Sequence, residues 1–325
     1  MKRFCSLLLS ALLLMGTLTA CGGGAAGDTE KDALSVVTTI FPEYDWVMNI
    51  LGDKAPGADV TLLLDSGVDL HSYQPTADDM IRIASCDLFI YVGGESDAWV
   101  EDALKGAKNE SMIALDLMDI LGSSVKEEEV REGMEAEHEE EHEEEGPEYD
   151  EHIWLSLRNA ALCVEAIRDA LCALDAENAE SYTANASAYL EKLNALDEKY
   201  TAAVENAKLK TLLFGDRFPF RYLADDYGLD YYAAFTGCSA ESEASFETIA
   251  FLAKKTEELG LSAVLTLEGT SHKLAETVVA ATESKSARIL AMDSMQSVTA
   301  EDVNSGASYL GIMEKNLSVL VDALK

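Results

Sequence analysis

Between Ala176 and Ala207 the chain runs AENAESYTANASAYLEKLNALDEKYTAAVENA, about thirty residues without a glycine or a proline. Tyr182, Ala186, Tyr189, Leu193 and Leu196 recur there at spacings of three and four, which predicts one long amphipathic helix. On either side the pattern changes to short apolar runs alternating with helical segments. Upstream, LSVVTTIFPEYDWVMNILG reads as a strand and then a helix ending at Gly52. ADVTLLLDSG reads as a strand and a turn. TADDMIRIASCDLFIYVGGESDAWVEDALKGA reads as a helix, a strand Leu88–Val92, a Gly-Gly turn and a further helix. Downstream, KTLLFGD, LSAVLTLEG and SARILAMDSM read as buried strands separated by helices. Such alternation favours parallel pairing. The expected fold is α/β: two lobes with mostly parallel sheets flanked by helices, residues 34–174 and 209–325, joined by one long rigid helix within 175–208.

The first twenty residues are excluded from fold reasoning. Lys2 and Arg3 precede an apolar stretch from about Phe4 to Thr17, then small residues before Cys21, the pattern of a secretory signal. Leu18-Thr19-Ala20-Cys21 matches the bacterial lipobox, so Cys21 is the expected lipid attachment point, with 21–33 a flexible tether. The apolar run is too short for a comfortable membrane span. An extracytoplasmic protein anchored to the outer face of the cell membrane follows.

The net charge of −36 argues against nucleic acid as a partner, because phosphate binding needs clustered Lys and Arg. Much of it is local: Glu127–Glu151 holds fifteen acidic residues against one arginine. Three of the five histidines, His138, His142 and His152, lie in or just after this run. One reading is a solvated loop, because like charges repel and resist ordering. The other is a tethered cation trap, because carboxylates and imidazoles both ligate divalent metals. Cys86, Cys163, Cys172 and Cys238 fit no CxxC zinc spacing, allow three disulfide pairings, and are read as small apolar core residues.

Three short segments carry chemistry. In DSGVDLHSYQPTADD, His71 follows a strand-to-turn signal and precedes a helix capped by Thr76, at the strand edge where open α/β sheets form ligand crevices. In YDEHIWLSL, His152 stands at the mouth of a helix. In ILAMDSMQSV, Asp293 follows an apolar strand directly.

These segments resemble the metal-specific solute-binding lipoproteins of bacterial ABC importers. GVDLHSYQPTADD is similar to their G-x-D-P-H-x-Y-x-P-T-x-x-D signature, DEHIWLSLRN to D-P-H-x-W-L-D-P, and LEGTSHKLAETVVAATESKSARILAMDSM to their E-x-x-x-S-x-K-x-A-E-T…L-D-P-L ending. YLADDYGLDYYAAFTGCSAESEASFETIAFLAKK resembles the stretch leading from their third ligand region into the C-terminal lobe. The similarity covers essentially all of the mature chain in one order. It implies two lobes bridged by a rigid helix, with one metal held between them and little hinge closure. His71 and His152 match the N-lobe histidine ligands, and Asp293 matches the C-lobe aspartate.

One departure matters. The family usually has a third histidine where GDRFPFRYLADDYGL has Arg217, and a guanidinium has no lone pair for a metal. Arg217 is expected to pair with a carboxylate. Glu268, then Asp216, are the expected replacement ligands, with His272 a weaker candidate. Two imidazoles with one or two carboxylates suit Zn²⁺, and Mn²⁺ accepts the same set. The expected function is capture of zinc, or alternatively manganese, and delivery to an ABC-type membrane permease, by a monomer, with 127–148 as an auxiliary metal-collecting loop. A lipid-anchored zinc hydrolase is the competing enzyme reading, but neither H-E-x-x-H nor G-x-S-x-G occurs. An adhesin would need no closed metal site.

Overall fold

The computed structural model describes residues 33–135, 148–239, 243–269 and 271–325. In the N-terminal lobe, β1 (Leu34–Thr38), α1 (Phe41–Leu51), β2 (Ala58–Leu62), α2 (Ala77–Ser85), β3 (Leu88–Tyr91), α3 (Val100–Lys105) and β4 (Ile113–Asp116) alternate, followed by α4 (Leu117–Leu121) and α5 (Leu157–Leu174). Then comes α6 (Ala179–Glu205). The C-terminal lobe contains β5 (Thr211–Arg217), α7 (Arg221–Tyr227), β6 (Asp230–Phe235), α8 (Phe246–Glu258), β7 (Ala263–Leu267), α9 (Lys273–Ala281) and β8 (Arg288–Met292), then α10 (Ala300–Asn304) and α11 (Tyr309–Ala323). Each lobe has a four-stranded sheet, ordered β2-β1-β3-β4 and β6-β5-β7-β8, and every named pairing is parallel. Parallel strands need crossovers, so their C-terminal ends collect at one edge where loops can converge.

The long helix buries one stripe: Tyr182, Ala186, Tyr189, Leu193, Leu196, Tyr200 and Val204. That stripe packs on α1 and α5 of the first lobe and α11 of the second. Apolar burial, worth about 25 cal/mol per Å², is therefore shared by both lobes. One continuous core runs from Val36 and Trp46 through Tyr189 and Tyr200 to Tyr309 and Met313. Trp46 and Tyr309 meet edge to face, with ring centroids 5.3 Å apart. Tyr309 donates its hydroxyl to the Trp154 carbonyl at 2.7 Å, and Asp45 accepts from Tyr309 N–H at 3.2 Å and Tyr189 O–H at 3.1 Å. Bending one lobe against the other would expose this apolar surface and break buried hydrogen bonds. No helix among the described residues is long and apolar enough to cross a membrane.

The sequence reading passed over β4 and β6. It also treated 127–135 as part of a solvated run, whereas this segment packs on the C-terminal lobe. Arg131 lies over the Tyr231 ring at 3.7 Å and pairs with Asp230, Met134 is buried, and Glu135 N–H donates to the Ala234 carbonyl at 2.9 Å. A cationic stack and an edge-strand hydrogen bond offset the repulsion that the charge run alone implies.

Candidate metal centre

Both histidines sit in a D-x-H turn. Asp69 Oδ1 accepts the His71 N–H at 3.0 Å, and Asp150 Oδ1 accepts the His152 N–H at 2.9 Å. Each is an Asx-type turn, in which the aspartate stands in for a backbone carbonyl and fixes where the following imidazole emerges. His71 lies in the loop after β2, and His152, fully buried, precedes α5.

The imidazoles are also held from behind. Asp150 Oδ1 lies 2.9 Å from His152 Nδ1. Ser96 Oγ lies 2.8 Å and Glu151 Oε2 3.4 Å from His71 Nδ1, and that buried Glu151 oxygen has no hydrogen-bond partner among the described residues. Gly94, at φ +82°, makes room for this carboxylate, because a Cβ there would collide with the Glu151 side chain. A carboxylate can only accept, so the neutral His152 ring keeps its proton on Nδ1 and presents its Nε2 lone pair, while the Ser96 hydroxyl at His71 Nδ1 can accept or donate. The two Nε2 atoms face each other at 3.2 Å. Two lone pairs at that distance repel unless a proton or cation lies between them. A tetrahedral edge between two nitrogens at 2.0 Å from zinc is about 3.3 Å long.

The second lobe contributes three side chains. Arg217, at the end of β5, pairs through Nη2 with Asp69 Oδ2 at 2.7 Å, and its Nη1 donates to the Ser239 carbonyl at 3.3 Å. Gln296 Nε2 lies 3.2 Å from His152 Nε2 and 3.3 Å from Asp69 Oδ1. Cys238, three residues beyond β6, offers its Sγ. One ligand atom from each of His71, His152 and Cys238 lies within 4.8 Å of the other two, the one such group of three among the described residues. The preceding Gly237 allows this approach, because a Cβ there would stand 3.1 Å from the His152 ring and 3.0 Å from the Phe218 carbonyl. A cavity of about 290 Å³ opens beside the group, lined by His71, Glu95, Ser96, Glu128, Glu151 and Cys238. Its carboxylates favour a cation over an anion.

Burial pushes the Asp69 carboxyl up, but Arg217 and His71 outweigh it and hold the group below its ordinary range. Glu151 is treated likewise: burial raises it, and hydrogen bonds from His71 and Ser96 bring it below normal. Burial raises the Cys238 thiol strongly, and the nearby Glu128 and Asp150 add to it. Without a cation the sulfur keeps its proton.

Comparison with known proteins bears on what such a centre serves. The family described as "Zinc-uptake complex component A periplasmic" matches residues 36–323. The chain belongs to this family. A "Zinc-binding lipoprotein AdcA" of Streptococcus pneumoniae is 33% identical over 98% of this chain and 60% of that protein. The chain thus spans about three fifths of that relative's length. The "High-affinity zinc uptake system protein ZnuA" of Bacillus subtilis is 31% identical over 94% of this chain and 93% of its own. Among solved structures, the Zn(II)-bound ZnuA-like domain of Streptococcus pneumoniae AdcA superposes with a TM-score of 0.69 at 30% identity, over 90% of this chain and 98% of that one.

Within this zinc-uptake family fold, the structure brings His71 and His152 together but leaves the three expected C-lobe carboxylates elsewhere. Asp293 Oδ1 accepts the Met295 N–H at 2.8 Å. Glu268 accepts from Ser294 N–H and O–H, both at 2.7 Å. Asp216 accepts from Thr266 O–H at 2.6 Å and Leu267 N–H at 3.1 Å. Glu268 and Asp293 directly follow β7 and β8 and accept from the loop at 294–295, whereas Asp216 lies within β5 and accepts across the sheet from the end of β7. His272 also stays outside the group, its Nδ1 3.3 Å from Thr266 Oγ1. The cysteine reading is corrected in part. All four are free; Cys86 and Cys163 are buried, while Cys238 is only partly buried and lines the cavity. Cys21, His138 and His142 lie outside the described residues. Sequence reasoning missed Asp69, Asp150, Glu151, Gln296 and Cys238. The repeated D-x-H could have revealed the two aspartates; nothing local marks Gln296 or Cys238, which the opposite lobe delivers.

Proposed function

We propose that this chain captures zinc outside the cytoplasm and delivers it to an ABC-type membrane permease. The ion is cargo, bound by the Nε2 atoms of His71 and His152. The carrying observation is that convergence: two imidazoles bring their Nε2 atoms to 3.2 Å, with the Asp150 and Glu151 carboxylates behind their Nδ1 atoms. Such a pair is an unfinished coordination edge, and the carboxylates behind it raise ligand basicity as metal sites require. The names of the relatives, a zinc-binding lipoprotein and a zinc-uptake protein, support zinc as the cargo. Attachment through a lipidated Cys21 accords with the first of those names and with the lipobox. The shared core between the lobes suits a receptor that holds its ion by fixed geometry rather than by wide closure.

Competitive titration of the mature protein against a chromophoric zinc chelator tests this reading. One tight equivalent of zinc, lost in His71→Ala and in His152→Ala, is expected. Tight binding that survives both substitutions would overturn it.

A further inference from the structure

We propose that Cys238 is a third cargo ligand, and that its thiolate makes this site select zinc over manganese. The inference rests on the His71–His152 reading above and goes beyond it by naming the donor from the second lobe. Its geometry is particular: the sulfur shares a 4.8 Å cluster with both imidazoles, and no carboxylate among the described residues joins a cluster with that pair. The approach is built in. Gly237 lets the strand β6 exit lie against the His152 ring, where any side chain would crowd both that ring and the Phe218 carbonyl. Glu128 Oε1 then accepts the Cys238 N–H at 2.9 Å, fixing the turn that presents the sulfur.

The side chains beside it leave the role open. Arg217, at the end of the neighbouring strand β5, has no lone pair to offer and is held by Asp69 and the Ser239 carbonyl. Asp216, Glu268 and Asp293 serve hydrogen bonds in their own lobe. The binding step balances simply: M²⁺ meets the thiol, an M–S bond forms, the S–H bond breaks heterolytically, and the proton leaves to solvent. Nothing is oxidised or reduced. Two imidazoles and one thiolate form a tetrahedral zinc set with one position left, at Zn–N of about 2.0–2.1 Å and Zn–S of about 2.3 Å. A soft thiolate favours zinc, whereas manganese prefers carboxylate, carbonyl and water oxygens.

Cobalt(II) is the probe, added alone to the full-length mature protein. One equivalent should produce a near-ultraviolet sulfur-to-cobalt charge-transfer band. Cys238→Ser should abolish the band and weaken zinc about a hundredfold while changing manganese affinity less than about threefold, narrowing the selectivity. A measurement on the unaltered chain guards against misfolding of the variant: zinc should protect Cys238 from alkylation while the partly exposed Cys172 reacts as before. Stoichiometric cobalt without the band, or zinc that leaves Cys238 as reactive as before, overturns the thiolate and spares the two-histidine site. Failure to bind any cobalt or zinc stoichiometrically overturns both.

Discussion

The two rims of the candidate metal centre treat their carboxylates differently. On the N-lobe rim, Asp150 and Glu151 stand behind histidines, and Asp69 is held low by Arg217 and His71 despite burial. On the C-lobe rim, Asp293 faces no such partner. Burial first, and then the nearby Glu268, push its carboxyl up to about 6. Both rims lie at the C-terminal ends of parallel strands, so position alone does not decide whether a carboxylate serves a metal. Loop N–H groups claim carboxylates on both rims; what differs is that Asp69, Asp150 and Glu151 also pair with Arg217 or an imidazole, whereas Asp293 and Glu268 accept from the loop at 294–295.

Substitutions at the histidines test that contrast most strongly. A zinc-binding free energy of about 10–16 kcal/mol spread over four ligands is roughly 2.5–4 kcal/mol each, so His71→Ala or His152→Ala should weaken zinc about a hundredfold to a thousandfold in a chelator competition. Removing a supporting carboxylate should matter less. Asp150→Asn places an amide that can donate where the His152 Nδ1 proton needs an acceptor, and about 10- to 100-fold weaker zinc is expected. A change below threefold would erase the distinction between the rims from the N-lobe side.

Asp293→Asn tests it from the other side. Zinc affinity should change by less than about threefold, because the carboxylate faces Met295 N–H rather than the histidines. Its stability effect should be pH-dependent. The folded group titrates near 6 against an ordinary 3.8, so the native state binds the proton more tightly. Stability from this group is complete below about pH 4 and is lost as pH rises through 6. The variant should therefore melt with the parent at pH 4 and exceed it by about 3 kcal/mol at pH 8. Glu268, Lys315 and Asp302 are the charged groups that bear on the carboxyl, and the same comparison in a Glu268→Gln background should shrink the difference. The smallest effect belongs to the docked acidic segment: Arg131→Ala should cost about 1 kcal/mol or less in denaturant melts, because its ion pairs are partly exposed.

Much of the fold was legible because its signals are local. The Tyr182-to-Leu196 stripe, the apolar runs of β1, β3, β5 and β7, and the Thr76 cap all act within a few residues of themselves. Strand β4, at the sheet edge and half-buried, lacks the continuous apolar run that marks its neighbours. In the site, the pairing of His71 with His152 was readable from position and motif, since each stands in or at the start of a short helical turn after a strand or loop. The assignment of Asp293 and Glu268 assumed that a carboxylate after a strand points into the crevice, and that of Asp216 rested on its place beside Arg217; the loop and cross-strand donors that claim them are invisible to residue spacing. Cys238 was hidden for another reason. Its role depends on an approach across the lobes that Gly237 permits, about 85 residues from His152 in the chain.

Zinc K-edge X-ray absorption on the protein loaded with one equivalent of zinc tests the central claim most directly. The account predicts multiple scattering from two imidazoles, with nitrogens at about 2.0–2.1 Å. A shell of oxygens without imidazole scattering would contradict it.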